Sequence, residues 1–340
     1  MINSNFGFTP LKEVWLGDCY PASWYDHLPN EVADPFRQIT EWTKEDTAKL
    51  QRFLESRGVI VRRPVFEFID DYLDDTDSLV KPPITPRDDY LVLGNTLYSL
   101  RDSGDKKNHW ANWLDFYKKN SCDVQFGLNK AIDYLYPPSL VRIGKDLYLD
   151  RTTHNKDWDK LSDWLLEISK NYRVQICKTG GHSDAVFCPI APGLIVSSHY
   201  LSDYNLTYPG WEVFQVPNRL HNFGNLPKRW SVDSSKINKN KAFNNYIQTV
   251  ANEWIGNFQE TVFEVNMLVI DEKNIVAMKE YPPLTKWLNN HGITAHYFDF
   301  RTRSFWDGGW HCLTLDICRD DAKRDLFPDR GNNGIYSFVN

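Results

Sequence analysis

Three stretches of the chain carry the same succession of apolar runs and turns: YLVLGNTLYSL from Tyr90, SLVRIGKDLYLD from Ser139 and NMLVIDEKNIVAM from Asn266. Each reads as an apolar strand, a two-residue polar or glycine turn and a second apolar strand, the signature of a β-hairpin. Gly94 and Gly144 stand 50 residues apart, and Gly193, in a fourth candidate that begins APGLIVSSHY at Ala191, follows 49 residues later. The opening PLKEVWLGDCY, from Pro10, fits as a fifth and divergent copy. Helical patterns lie between the hairpins. Thr43 to Ser56 starts on a capping box, Thr43 as N-cap and Asp46 three residues on, and places Leu50, Phe53 and Leu54 on one face. Lys156 to Ser169 sets Trp158, Leu161, Leu165 and Ile168 at helical spacing, and Ala242 to Ile255 and Pro283 to Asn290 predict shorter helices. Strands follow the helices: VIVRRPVF from Val59, RVQICK from Arg173 and TAHYFDF from Thr294. Tyr204 to Asn240, rich in Asn, Pro, Lys and Ser, reads as an inserted loop.

A unit of strand, strand, helix, strand therefore recurs about every 50 residues, five times. One unit cannot bury its own sheet face, whereas several packed around a centre can. The pattern predicts an α/β ring of such units rather than two ordinary α/β domains with unrelated hairpins. It also puts chemistry at the strand ends and loops that face the central axis.

Composition narrows the partners. The chain has 340 residues, 41% hydrophobic and 25% charged, with a formal net charge of -6, which suits a globular protein with a substantial core. No basic stripe stands out, which argues against nucleic acid. The first residues, MINSNFGFTPLKEV, lack the basic and apolar regions of a signal peptide, and no apolar run reaches membrane-spanning length. Six cysteines, Cys19, Cys122, Cys177, Cys188, Cys312 and Cys318, form no CxxC pair and suit neither zinc nor a disulfide framework. They read as free thiols in a reducing, cytoplasmic compartment. The 13 Trp and the other aromatics are expected mostly in the core.

The chemistry centres on DGGWHCLTLD, Asp307 to Asp316. Gly308 and Gly309 permit a tight turn and close approach of a ligand, and Cys312 follows at the mouth of an apolar run, where a nucleophile can be presented. A small buried hydrophobe is the ordinary alternative for such a cysteine. A second Gly-Gly, Gly180-Gly181, follows strand 173–178 as Gly308-Gly309 follows strand 294–300, and offers His182 and Asp184. A cysteine and a histidine from separate segments suit covalent catalysis, the histidine lowering the thiol pKa and shuttling protons. Asp184 is placed to hold the imidazole or to pair a cationic substrate. Asp88, in Pro86-Arg87-Asp88-Asp89, can bind a guanidinium or ammonium group or simply cap a turn. Arg301 can bind a carboxylate or be a solvated loop cation. Asp307 is expected to shape the turn, and His311 to point away from Cys312 if the segment is extended.

RTRSFWDGGWHCLTLDICR, 301–319, resembles the C-terminal catalytic segment of the arginine:glycine amidinotransferase group of the pentein superfamily. GGHSDAVFCPIAPGLIVSS resembles its His-x-Asp segment, PRDDYLVLGN its Arg-Asp segment, NMLVIDEKNIVA with WLNNHGIT its last module, and PLKEVWLG its opening strand. The resemblance spans almost the whole chain and implies one catalytic domain over 1–340, a five-bladed α/β propeller of ββαβ modules. It implies that Cys312 attacks a guanidino carbon to give an amidino-cysteine, that His182 moves the protons with Asp184, and that Asp88 binds substrate. No metal or organic cofactor is implied. The family carries two acids, three residues apart, before an Arg-x-Gly-[Arg/Lys]-Asp hairpin. Counted back from Arg142-Ile143-Gly144-Lys145-Asp146, those positions hold Tyr136 and Ser139, with Asp133 close by as a substitute, and no arginine follows the Pro-Gly turn in SSHYLSD.

The expected substrate-facing set is thus Asp88, Arg301, Ser139, Tyr136 and Gly309, around the catalytic Cys312, His182 and Asp184. The expected partners are a guanidino donor, L-arginine first, and an amine acceptor, without nucleic acid or membrane, and with a homodimer left open. A hydrolase of the same fold, with water as acceptor, and a non-catalytic binding protein on the same scaffold are the alternatives.

Overall fold

The computed structural model describes residues 1–66, 81–101, 108–126, 137–150, 158–177, 183–198, 204–216, 232, 234–251 and 265–337. Strands β1 (Leu11–Leu16) and β2 (Ile60–Arg62) run parallel. Four units then follow in chain order. They are β3 (Tyr90–Leu93), β4 (Thr96–Ser99) and β5 (Asp123–Phe126); β6 (Leu140–Ile143), β7 (Asp146–Asp150) and β8 (Arg173–Cys177); β9 (Phe187–Ala191), β10 (Leu194–Ser198) and β11 (Glu212–Val216); and β12 (Leu268–Asp271), β13 (Asn274–Ala277) and β14 (Thr294–Tyr297). In each, the first two strands form an antiparallel hairpin and the third lies parallel to the second. Strand β15 (Thr314–Arg319) then returns antiparallel to β1 and completes a fifth sheet from the two ends of the chain. Strand β16 (Gly334–Ser337) adds to the second unit beside β8.

The helical segments are α1 (Asn30–Ser56), α2 (Ala111–Lys119), α3 (Trp158–Ser169), α4 (Ser183–Val186), α5 (Tyr204–Thr207), α6 (Ser235–Asn238), α7 (Lys241–Thr249), α8 (Pro282–Asn290) and α9 (Arg303–Trp306). Helices α1, α2, α3, α5 and α8 each connect the second strand of a unit to its third, so the ββαβ repeat expected from the sequence is the architecture of the protein. Among the described residues no helix is long and apolar enough to cross a membrane.

The first strand of each unit is innermost. Every residue of β3, β6 and β9 is buried, whereas β2, β5 and β14 are partly exposed along their length. Strands covered on both faces read as continuous apolar runs, which is why these hairpins stood out. The polar residues that interrupt the inner strands meet at the axis. Asp316 of β15, 1% exposed, accepts from Arg87 at 2.7 Å, from Arg319 and Ser4 at 2.9 Å, and from Arg142 of β6. Burial opposes its charge, but Arg142, Arg319 and Arg87 together hold its carboxyl well below the usual carboxylate range. Arg319 also donates to the carbonyl of Val269 on β12, and Arg142 to that of Val92 on β3. One buried carboxylate thus ties together several sheets.

Three sequence expectations are corrected. Helix α1 begins at Asn30, not Thr43, and carries Pro35 within it. Thr43 is buried mid-helix, donating to the Ile39 carbonyl at 2.7 Å and accepting from Trp306 Nε1 at 2.9 Å, so its hydroxyl has tertiary partners instead of a capping role. The opening segment is not a hairpin of its own, because the partner of β1 is β15. The stretch 204–240 is not simply an insertion, since it supplies β11, the third strand of its unit. The hairpin turns place Gly94, Gly144 and Gly193 at φ of 57, 62 and 83°, so the equivalence read from their spacing holds.

Candidate active site

Each inner strand is preceded by a short segment, and these segments touch one another. They are the turn Pro86–Asp88 before β3, the turn Pro137–Ser139 before β6, α4 before β9, residues 265–267 before β12 and residues 307–313 before β15. The same position of five modules therefore supplies Asp88, Ser139, Asp184, Asn266 and Cys312.

The cysteine segment is a compact turn. Helix α9 ends at Asp307, which adopts the left-handed conformation (φ 54°, ψ 51°), so Asp307 shapes the turn as expected. The Leu313 N–H then donates to the Gly309 carbonyl at 3.0 Å and the Thr314 N–H to that of His311 at 3.1 Å. The two glycines serve space rather than φ. A side chain at Gly308 would lie 3.0 Å from Cys312 Cβ, and one at Gly309 would lie 2.5 Å from Asn266 Oδ1. The room at Gly309 is therefore filled by Asn266, where close approach of a ligand was expected. Cys312 is 6% exposed, and its Sγ accepts from Asn266 Nδ2 at 2.7 Å. Asn266 Oδ1 in turn accepts the N–H groups of His311 at 3.0 Å and Cys312 at 3.1 Å.

The His311 side chain is directed at α4. Because the segment is turned and not extended, its Nδ1 lies 2.9 Å from Asp184 Oδ2. Burial, and then the positive charge of Arg87, hold His311 below the ordinary histidine range, with Asp184 opposing. Arg87 Nε donates to the carbonyls of His311 at 3.1 Å and Thr314 at 3.0 Å, coupling the axial ion cluster to the cysteine segment. A cavity lined by Arg87, Val141, Arg142, Asp184, Met267 and His311 lies against this pair.

Ser139 is fully buried and its carbonyl accepts from Ser183 Oγ at 2.9 Å. Asp88 accepts from Thr85 at 2.6 Å and pairs with Lys81 at 3.6 Å; Thr85 packs beside Gly308. Arg301 is held against α1 by Asp46, with Nη2 at 2.8 Å, and by Glu45 at 2.5 Å. His182, Tyr136 and Asp133 lie outside the described residues. Among the other thiols, burial pushes Cys188 up to about 12 and raises Cys19 and Cys177 further. Among the described residues no cluster of three or more His, Cys, Asp or Glu is arranged to hold a metal ion.

Sequence reasoning did not single out Asn266 and set His311 aside. The signal for Asn266 was present, since it opens a hairpin copy just as Ser139 does.

No protein-family model matches the chain. It is 21% identical to the L-arginine:L-lysine amidinotransferase of Pseudomonas savastanoi pv. phaseolicola, over 91% of this chain and 88% of that protein. It is 24% identical to inosamine-phosphate amidinotransferase 1 of Streptomyces glaucescens, over 88% and 86%. Among solved structures, SxtG, an amidinotransferase from the saxitoxin pathway of Microseira wollei, superposes with a TM-score of 0.66 at 18% identity, covering 96% of this chain and 99% of that one. A dimethylarginine dimethylaminohydrolase superposes with a TM-score of 0.54 at 11% identity, over 90% and 99%. The repeat, the ring of five sheets and these likenesses together show a pentein-type fold and relate the chain to the arginine and glycine amidinotransferases.

Proposed function

We propose that the protein is an amidinotransferase that moves an amidino group from a guanidino donor, L-arginine first among candidates, to an amine. Cys312 Sγ attacks the central guanidino carbon. The bond from that carbon to the leaving amine breaks as the amine gains a proton, leaving an amidino-cysteine. The acceptor amine then attacks the same carbon, loses a proton and expels the thiolate. His182 is the proposed proton carrier, assisted by Asp184, and Asp88, Ser139 and Tyr136 are the proposed substrate-facing groups. Arg301 is left out, because Asp46 and Glu45 already bind its guanidinium.

The observation that carries this reading is the setting of Cys312, buried where five module segments converge, beside Asn266 and next in sequence to the His311–Asp184 pair. The amidinotransferases among its relatives support the same reaction class. The likeness to a dimethylaminohydrolase supports a second reading, in which water replaces the amine. Incubation with L-arginine and a panel of amines separates them. Ornithine together with an amidinated amine is the expected result. Citrulline and ammonia without any amine would favour the hydrolase, and no product from any guanidino compound would overturn both.

A further inference from the structure

Asn266 is fully buried, and its amide meets three groups of the cysteine segment. Two backbone donors, the N–H groups of His311 and Cys312, converge on one end of the amide at 3.0 and 3.1 Å. Only the carbonyl oxygen can accept them, which fixes the orientation of the amide. The opposite end, at 2.7 Å from Cys312 Sγ, is then the NH2 group, which can only donate. A thiolate accepts from it without retaining a proton, and a donor aimed at the charged form favours that form. The glycine before this segment belongs to the same device, since any side chain at Gly309 would lie 2.5 Å from Asn266 Oδ1 and 2.7 Å from its Cγ.

We infer that Asn266 is a catalytic residue: it holds the Cys312 backbone through Oδ1 and stabilises the Cys312 thiolate through Nδ2, and Gly309 is required because its hydrogen leaves room for that amide. This rests on Cys312 being the nucleophile. Among the described residues, the charged and titratable groups around the thiol are His311 on its own segment, Asp184 on α4, Arg87 before β3, Asp316 on β15, and Lys81 with Asp88 across Thr85. Both substitutions below leave these in the chain.

The test is the pH dependence of alkylation by iodoacetamide, followed at each cysteine by mass spectrometry of the tryptic peptides. It reads the thiol without any substrate, so it can fail while amidino transfer is observed, and the reverse. Asn266→Asp keeps an oxygen for the two N–H groups but turns a carboxylate oxygen toward sulfur. The midpoint of the Cys312 profile should rise by about one pH unit or more, because a like charge disfavours the thiolate. Gly309→Ala leaves Asn266 in the chain and displaces its amide; the midpoint should move the same way, whatever the limiting rate does. The half-buried Cys318 is the internal reference and should keep its profile. A Cys312 midpoint unchanged in either variant, or one that moves only together with that of Cys318, overturns the assignment.

Discussion

His311 and Asp184 make a pH-dependent contact at the mouth of the ring, and the sign of its effect follows from the environment. Burial and Arg87 keep His311 below the histidine value of 6.5, so the folded protein resists protonating it. As pH falls through that value the unfolded chain binds the proton first; the native state therefore loses stability below about pH 6.5 and none above it. His311→Asn should flatten the decline of Tm between about pH 7 and pH 5. Equal slopes for variant and wild type in thermal melts would contradict this. The sequence points to Cys312 and Asp184 because glycines and a strand exit mark them. The contact of His311 with Asp184 is not legible there, because residues 307–313 turn back on themselves where an extended segment is expected. Asn266 was hidden for another reason: its amide serves a neighbour 46 residues away, and nothing local marks that.

The hairpin is the element most fully written in the sequence, since a period of two, an apolar run and a turn glycine are all local. What space each turn has is a tertiary matter. Gly193 and Gly144 both sit at positive φ, but a side chain at Gly193 would meet nothing within 4 Å, whereas one at Gly144 would lie 2.2 Å from the Arg324 carbonyl and 2.5 Å from Phe6. Gly193→Ala should cost about 1–2 kcal/mol, the strain of a left-handed residue. Gly144→Ala should cost clearly more, because backbone must also move. Denaturant unfolding of the two variants measures the difference; equal losses would mean the N-terminal segment yields freely. Helix α1 was read only in its second half, because Pro35 and the buried Thr43 disguise its first turns. The fifth unit was misread because β1 and β15 pair Leu16 with Thr314, a contact no local pattern can announce.

At the scale of the whole molecule, the sheets are joined by charge as well as by apolar packing. Asp316 is buried among Arg87, Arg142 and Arg319, and removing its charge leaves guanidinium groups without compensation. Asp316→Asn should lower stability by about 3–5 kcal/mol, the usual cost of breaking a buried ion pair, as read from denaturant unfolding. A loss within that of an ordinary surface substitution would mean the cluster is not what ties the sheets together. The repeat count made the ring legible, whereas the cluster was not, since Asp316 and Arg142 stand 174 residues apart and no local pattern pairs them. The ring brings the five module segments together at Cys312, and the proposed chemistry depends on that cysteine forming a covalent amidino intermediate. The most direct measurement is mass spectrometry of the Cys312 peptide after incubation with L-arginine and no acceptor. The account predicts an amidino adduct on Cys312 with release of ornithine, discharged when an amine is added, absent from Cys312→Ser and retained in Cys318→Ser. Turnover that persists in Cys312→Ser, or an adduct on any other cysteine, would contradict it.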